Sequence, residues 1–138
     1  MVKTINMQDI RYLNLFSRVS RVNTKFCFMY NNTLIFCVPK KLIYRAIGRD
    51  GKNVKRLSEI LKKRIKILST PQGIADAEEF IKNIVDPVTF REFEVNENEI
   101  IITAGKTNKA ALIGREKRRL IEMQKIVKDF FDRDLKIV

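Results

Sequence analysis

Apolar side chains recur at helical spacing in the first part of the chain, from Met7 to Val19. Ile10, Leu13, Phe16 and Val19 would share one face of a helix there, with polar residues between them. This spacing predicts an amphipathic helix that buries one face.

Two runs rich in aromatic and β-branched residues follow, Lys25–Tyr30 and Thr33–Val38. Such runs are typical of strands. They are separated by Asn31 and Asn32, and asparagine tolerates the positive φ that a two-residue turn requires. The sequence therefore predicts a tight β-hairpin, which ends at Pro39.

Three further elements complete the first half. A short helix, a second helix and a closing strand are predicted at Lys40–Ile47, Lys52–Lys63 and Arg64–Leu68. Gly48 would end the short helix, and Gly51 would close the turn before the second helix. The Pro- and Gly-containing segment Thr70–Gly73 is the natural boundary of this half.

The second half repeats this order of elements. In chain order we expect a helix, two strands, two helices and a strand at Ile74–Val85, Phe90–Val95, Glu99–Thr103, Thr107–Ile113, Lys117–Phe131 and Leu135–Val138. Ile47–Asp50 aligns with Ile113–Glu116 at an offset of 66 residues, and the closing strands align after a further shift of about four residues. The repeat predicts two copies of one α+β unit, at residues 1–70 and 71–138.

The composition adds a strong positive charge. The chain of 138 residues is 45% hydrophobic, and its 28 Lys and Arg against 16 Asp and Glu give a net charge of +12. Residues 1–69 hold 16 basic and 3 acidic side chains, whereas residues 70–99 hold 2 basic and 8 acidic ones. An excess of this kind favours a polyanionic partner, with nucleic acid as the first candidate.

Several chemistries are excluded by the residues that the chain lacks. There is no His, so His-based triads and His-ligated metals cannot form. The two cysteines, Cys27 and Cys37, lie in apolar runs and are expected to be small buried hydrophobes in a reducing, cytoplasmic setting. No run is apolar and long enough to span a bilayer. We expect no enzyme activity, metal, cofactor, small-molecule substrate or membrane contact.

An enzymatic alternative would have to use the acidic middle of the chain, residues 70–99. Paired carboxylates can hold Mg²⁺ in a nuclease, and the candidates are Asp76, Glu78, Glu79, Asp86, Glu92, Glu94, Glu97 and Glu99. Glu92 and Glu94 share a strand face, as carboxylates on any solvated strand would. No nucleophile and base accompany them, so catalysis is disfavoured.

The turn Gly48-Arg49-Asp50-Gly51 has the properties of a phosphate-binding loop. Two glycines allow positive φ and a close approach of the main chain, and the helix that follows directs its N-terminal dipole towards the loop. Arg49 and Lys52 add positive charge. We expect Asp50 to cap the following helix through the N–H of Lys52 or Asn53.

The order helix, strand, strand, helix, GxxG, helix, strand resembles the type II KH domain, which has a small three-stranded sheet with helices on one face. The run from Ala46 to Leu57, AIGRDGKNVKRL, resembles the A-I-G-x-x-G-x-N-V-x-x-L core of NusA-like proteins. So does Glu79–Asn83 followed by Asp86-Pro87. Two tandem KH domains that fill so short a chain are similar to the archaeal NusA-like family.

This resemblance implies a protein that clamps single-stranded RNA across the GxxG loop and acts in transcription termination or antitermination. Carried over residue by residue, the first site comprises Ile47, Gly48, Arg49, Asp50, Gly51, Lys52, Asn53, Lys55 and Arg56. The degenerate second loop would comprise Gly114, Arg115, Glu116, Lys117, Arg118 and Arg119. RNA polymerase is a candidate protein partner, and we expect a monomer.

The sequence leaves several alternatives open. The chain could be a KH-type RNA-binding module in ribosome assembly or RNA processing, or an adaptor that contacts RNA polymerase through its acidic middle. The second loop could bind phosphate or could be a structural copy, because Lys117 stands where the first loop has its second glycine. A role on duplex DNA is the least favoured, since the glycine turn suits an unstacked strand.

Overall fold

The structure is a computed structural model that describes residues 7–138. The described chain separates into two compact units, which meet in sequence between Thr70 and Pro71. Each unit combines a three-stranded sheet with helices, so the fold class is α+β.

The first unit contains three helices and three strands. In chain order they are α1 (Met7–Ser20), β1 (Phe26–Tyr30), β2 (Thr33–Val38), α2 (Ile43–Ile47), α3 (Lys52–Leu61) and β3 (Arg64–Ser69). A 3₁₀ turn at Lys40–Leu42 precedes α2, so the predicted short helix is α-helical only in its second part. Pro39 precedes this turn, because its fixed φ suits the residue that ends an extended strand.

The sheet of the first unit has the order β1-β2-β3. β1 and β2 are antiparallel and joined by the predicted tight turn, in which Asn31 and Asn32 have φ values of 49° and 59°. β3 returns parallel to β2, with Thr33 opposite Arg64. The two-helix connection through α2 and α3 makes this parallel return possible.

The core of the first unit lies between α1, α3 and one face of the sheet. Phe16 of α1 stacks on Phe36 of β2 with ring centroids 4.4 Å apart, and both rings are fully buried. Leu57 of α3 is buried in the same cluster. Ile10, expected on the buried face of α1, is instead 47% exposed, because the apolar face begins one turn later at Leu13.

Cys27 and Cys37 are both buried, as the sequence predicts. Cys27 belongs to the core of the first unit. Neither cysteine is in a disulfide, which fits their expected role as small hydrophobes.

The second unit repeats the order of the first. Its helices and strands are α4 (Ala77–Val85), β4 (Glu92–Val95), β5 (Glu99–Thr103), α5 (Lys106–Ile113), α6 (Arg118–Phe131) and β6 (Asp134–Ile137). The sheet order is β4-β5-β6, with an antiparallel first pair and a parallel second pair. The buried face of α6 presents Met123 and Val127.

One predicted strand begins later than expected, and the predicted shift of the closing strands has a physical reason. Phe90 was expected to open β4, but β4 begins at Glu92, and the ring of Phe90 lies 5.9 Å from that of Phe93. The closing strands align only after a shift of four residues because α6 has 14 residues where α3 has 10. The sheets keep one register, since Ile65 pairs with Leu34 as Leu135 pairs with Ile100.

Among residues 7–138, no helix combines the length and apolar character needed to cross a bilayer.

Candidate nucleic-acid interface

The first loop begins at Gly48, whose backbone only glycine adopts readily. Its φ of 81° and ψ of 163° lie in a region that is essentially closed to residues with a Cβ. A Cβ at Gly48 would also come within 2.9 Å of Cγ of Asn53. Both the conformation and the space therefore require glycine at this position.

The rest of the loop is a left-handed turn at Asp50 and Gly51. Their φ values are 55° and 73°, and the N–H of Gly51 donates to the carbonyl of Gly48 at 3.1 Å. A Cβ at Gly51 would meet nothing within 4 Å. Gly51 thus relieves backbone strain but makes no close contact that a larger residue would block.

The predicted capping role of Asp50 is wrong. The residue that precedes α3 is Gly51, and Asp50 sits one position earlier in a left-handed conformation. Within the described residues, its carboxylate accepts no hydrogen bond from the N–H of Lys52 or Asn53. The N–H of Lys52 donates instead to the carbonyl of Arg49, which leaves Asp50 exposed at the tip of the loop.

Asn53 holds the loop closed. Its side-chain Nδ2 donates to the carbonyl oxygens of Arg45 at 3.2 Å and Ala46 at 3.1 Å. These carbonyls belong to the last turn of α2, whose carbonyls need partners beyond the helix. Sequence reasoning placed Asn53 beside the RNA, whereas the structure engages its amide nitrogen within the protein.

Ile47 occupies the end of α2, next to Gly48. It is half-buried and packs against the core cluster of the first unit. The loop is therefore anchored to the core on one side by Ile47 and closed on the other by Asn53.

The second loop has the same backbone as the first, despite its degenerate sequence. Gly114 has φ 75° and ψ 175°, Glu116 has φ 56° and ψ 27°, and Lys117 has φ 61° and ψ 20°. Lys117 thus adopts the left-handed conformation of Gly51. The open space beyond Gly51 explains how its counterpart in the repeat can carry a side chain.

Arg119 takes the place of Asn53 in the second loop. Its Nη1 donates to the carbonyl of Ala111 at 3.0 Å, and a Cβ at Gly114 would lie 2.8 Å from its Cγ. Ala111 and Arg45 are equivalent in the repeat. The shared position five residues after the first glycine is the sequence signal for this role, and it was missed because the two residue types differ.

Five basic side chains surround the first loop without a carboxylate partner. In residues 7–138, none of them lies within ion-pair distance of an acidic group: Arg45, Arg49, Lys52, Lys55 and Arg56. All five are exposed. Positive charge that is not neutralised locally is available to an external anion.

The second loop also presents charge to solvent. Arg115, Lys117 and Arg118 are exposed, while Arg119 is half-buried through its bond to Ala111. Glu116 is exposed at the loop tip, in the place that Asp50 has in the first loop. The structure therefore places three of the four predicted cations of this loop where a ligand could reach them.

The carboxylates of the acidic middle do not gather into a metal site. The part of the chain from Met7 onward contains no group of three or more Cys, Asp and Glu side chains able to hold an ion. Asp76 accepts the N–H of Gln72 at 2.9 Å, and Glu78 pairs with Lys82 at 3.1 Å along α4. These contacts give two of the candidate ligands local structural partners.

Two curated archaeal proteins resemble this chain, although no protein-family model matches it. The "Probable transcription termination protein NusA" of Halococcus morrhuae is 24% identical over 134 residues, which cover 95% of this chain and 94% of that protein. The protein of the same name from Methanococcus vannielii is 27% identical over 100 residues, which cover 71% of this chain and 56% of that protein. The chain thus spans about half of the Methanococcus relative.

A solved structure has a similar fold along nearly the whole chain. It is described as "Crystal structure of APE1850", with a TM-score of 0.67, 27% identity, and coverage of 96% of this chain and 99% of that one. The names of the two curated relatives support a NusA-like archaeal factor.

Proposed function

We propose that this protein is a NusA-like transcription termination or antitermination factor that binds single-stranded RNA through two tandem type II KH domains. The observation that most supports this proposal is the loop Gly48–Gly51. Its backbone depends on glycine at Gly48, and the basic side chains around it form no ion pairs within the described residues. The order of elements in each unit is compatible with a type II KH domain, which supports the proposed domain type. The names of the curated relatives support the role in transcription.

The first loop binds the sugar-phosphate backbone of about four nucleotides, as KH loops do. Arg49 at the exposed tip supplies the principal charge-assisted hydrogen bonds to phosphate. Lys52, Lys55 and Arg56 extend the positive surface along the first turns of α3, whose N-terminal dipole also favours an anion. Ile47 packs against the core of the first unit and so holds the start of the loop in place.

Asn53 acts as a positioning residue in this proposal. Its amide nitrogen is used by the carbonyls of Arg45 and Ala46, so it fixes the turn that presents Arg49. Asp50 lies at the tip as well, and its carboxylate repels phosphate and limits where the strand can run.

The second loop is a weaker site for the same strand. Its backbone conformation matches that of the first loop, and Arg115, Lys117 and Arg118 are exposed. These side chains contact phosphate electrostatically, and the first loop supplies most of the affinity.

The protein contacts RNA polymerase as well in this proposal. The exposed carboxylates of α4 and β4, which include Glu79, Glu92 and Glu94, are opposite in charge to the RNA-binding loops. A role in ribosome assembly or RNA processing would use the same loops, so the polymerase contact is what separates the two functions. Retention of the protein on immobilised RNA polymerase tests it.

Charge reversal at the loop tip tests the proposed RNA site. Arg49→Asp keeps both glycines and places repulsion where phosphate is expected to bind. We expect the dissociation constant for single-stranded RNA to rise at least tenfold, from the loss of a charged hydrogen bond worth about 1.5–3 kcal/mol. Arg115→Asp should cause a smaller loss.

Arg64→Asp is the matched control. Arg64 is exposed and follows the far end of α3, about 15 Å along the helix axis from the loop. The substitution changes the net charge by the same amount. Equal losses of RNA affinity in Arg49→Asp and Arg64→Asp would show that only the net charge of the protein matters. Normal RNA binding by Arg49→Asp would overturn the proposal that this loop clamps RNA.

A further inference from the structure

Tyr44 is the most exposed large hydrophobic side chain in the described chain. Its side chain is 87% exposed, whereas the others in this class range from 36% to 59%. Tyr30, by comparison, is 5% exposed. An aromatic ring that buries almost none of its surface contributes little to folding, and its face is open to a partner outside the protein.

Tyr44 lies one helical turn before the first loop. The N–H of Gly48 donates to the carbonyl of Tyr44 at 3.0 Å, which places the two residues on the same face of α2. Along the chain, Tyr44 stands between the exposed Lys40 and Lys41, which precede α2, and the exposed Arg49 of the loop.

The exposed charged side chains that precede Tyr44 or follow it as far as Arg49 are positive. Lys40, Lys41, Arg45 and Arg49 are all exposed. No Asp or Glu occurs in the sequence between Asp9 and Asp50. An aromatic ring amid basic side chains fits an unpaired nucleic-acid strand, whose bases can stack on the ring while phosphates meet the cations.

The second unit provides an internal comparison. Ala110 occupies the position equivalent to Tyr44, one turn before Gly114 in a loop of the same backbone conformation. The N–H of Gly114 donates to the carbonyl of Ala110 at 2.9 Å, as Gly48 does to Tyr44. The fold thus does not need an aromatic residue there.

We propose that Tyr44 is a stacking platform for one base of the RNA strand whose backbone is bound at Gly48–Gly51. The inference rests on the proposed function, because it needs a strand at that loop. Stacking adds a contact to the face of a base beside the phosphate clamp. This contact tolerates any base, because every base has a face that can stack. It also makes the two units unequal, since Ala110 offers no ring.

Affinity measurements on the unaltered protein, Tyr44→Ala and Tyr44→Phe test the platform. The probe is single-stranded RNA of random sequence, about 12 nucleotides long, which exceeds the roughly four nucleotides of one KH clamp. Tyr44→Ala should raise the dissociation constant by about fivefold to a hundredfold, as loss of a stacked base does. Tyr44→Phe should stay within about twofold of the unaltered protein, because the ring is kept.

The salt dependence separates the platform from the clamp. Tyr44→Ala removes no phosphate contact, so its slope of log K against log salt should equal that of the unaltered protein. Arg49→Gln should flatten the slope by about 0.7, the share of one phosphate on a single strand.

Tyrosine fluorescence reports stacking directly. The chain has three Tyr and no Trp, and Tyr44 is the most exposed of the three. RNA should quench the emission of the unaltered protein, and this quenching should be lost in Tyr44→Phe at RNA concentrations that saturate it. Ala110→Tyr should tighten RNA binding and add quenching.

The outcomes distinguish this proposal from the proposed function. Unchanged RNA affinity in Tyr44→Ala, with a large loss in Arg49→Asp, would overturn the platform and leave the clamp. Unchanged affinity in both would overturn the clamp as well. Weaker binding in Tyr44→Ala without tyrosine quenching in the unaltered protein would also contradict stacking. Loss of retention on RNA polymerase in Tyr44→Ala, with RNA affinity intact, would assign the ring to a protein contact.

Discussion

Asn53 and Arg119 each donate a side-chain hydrogen bond to the carbonyl end of the helix before their loop. They lie 66 residues apart and occupy equivalent positions in the two units. Asn53 bonds Arg45 and Ala46, and Arg119 bonds Ala111. Two chemically different residues thus close two loops of the same backbone shape, which indicates that closing the turn is a requirement of the fold.

Removing the Asn53 side chain should weaken the first unit. Asn53→Ala leaves the carbonyl of Ala46, in a partly buried setting, without its side-chain donor. We expect the free energy of unfolding to fall by about 1 kcal/mol, the usual net worth of such a bond. Urea unfolding followed by far-ultraviolet circular dichroism measures it.

Asn53→Arg is the matched control, because it introduces the residue that closes the second loop. It should retain most of the stability that Asn53→Ala loses. Equal losses of stability in both variants would show that an arginine at position 53 does not form the hydrogen bond that Arg119 forms in the second loop.

The two glycines of the first loop should respond differently to alanine. Gly48→Ala forces a strained backbone and a contact of 2.9 Å with Asn53, so we expect a loss of about 2–3 kcal/mol in the free energy of unfolding. Gly51→Ala meets open space and bears only the left-handed strain, about 1 kcal/mol. Thermal unfolding of both variants compares them, and equal losses would contradict the geometry of the loop.

Lys117→Gly should stabilise the second unit. Lys117 holds a left-handed φ of 61°, which glycine adopts without strain. After allowance for the greater freedom of glycine in the unfolded chain, the gain should reach about 0.5–1 kcal/mol. The same variant removes an exposed charge, so RNA binding at the second loop should weaken while stability rises. Stability and RNA affinity are therefore expected to change in opposite directions. A fall in both would contradict the backbone strain assigned to Lys117.

The arrangement of helices and strands could be predicted from local signals. Asn31 and Asn32 mark the hairpin, Pro39 marks the end of β2, and Gly48 marks the break between α2 and α3. Each of these residues imposes its own backbone conformation, so its effect does not depend on distant contacts. The offset of 66 residues extended the same interpretation to the second unit.

The side-chain contacts around the loops could not be predicted in this way. Asp is a residue type that favours helix caps, but the cap position of α3 falls on Gly51. Asp50 itself adopts a left-handed conformation in the turn, in addition to the two glycines. Asn53 was placed beside the RNA because it falls within the run that resembles the NusA-like motif, and a motif does not show which atoms its side chain contacts. Tyr44 was missed because the spacing of apolar residues does not reveal which aromatic side chain is left in solvent.

The affinity for RNA should depend steeply on salt. If the first loop neutralises about four phosphates, log K should fall with log salt at a slope of about −3 for a single strand. Fluorescence anisotropy with labelled single-stranded RNA at several salt concentrations gives the slope. A slope near zero would mean that the unpaired cations around Gly48–Gly51 do not bind phosphate.

The most direct test of the central claim is to follow backbone amide resonances while single-stranded RNA is added. The account predicts the largest chemical-shift changes at Gly48–Lys52, next to the exposed Arg49, and smaller changes at Gly114–Arg118. It also predicts little change in α4, whose exposed charged side chains are Glu78, Glu79 and Lys82 and carry a net negative charge. Changes confined to other surfaces, with the amides of Gly48–Lys52 unaffected at saturating RNA, would contradict the claim that this loop is the RNA clamp.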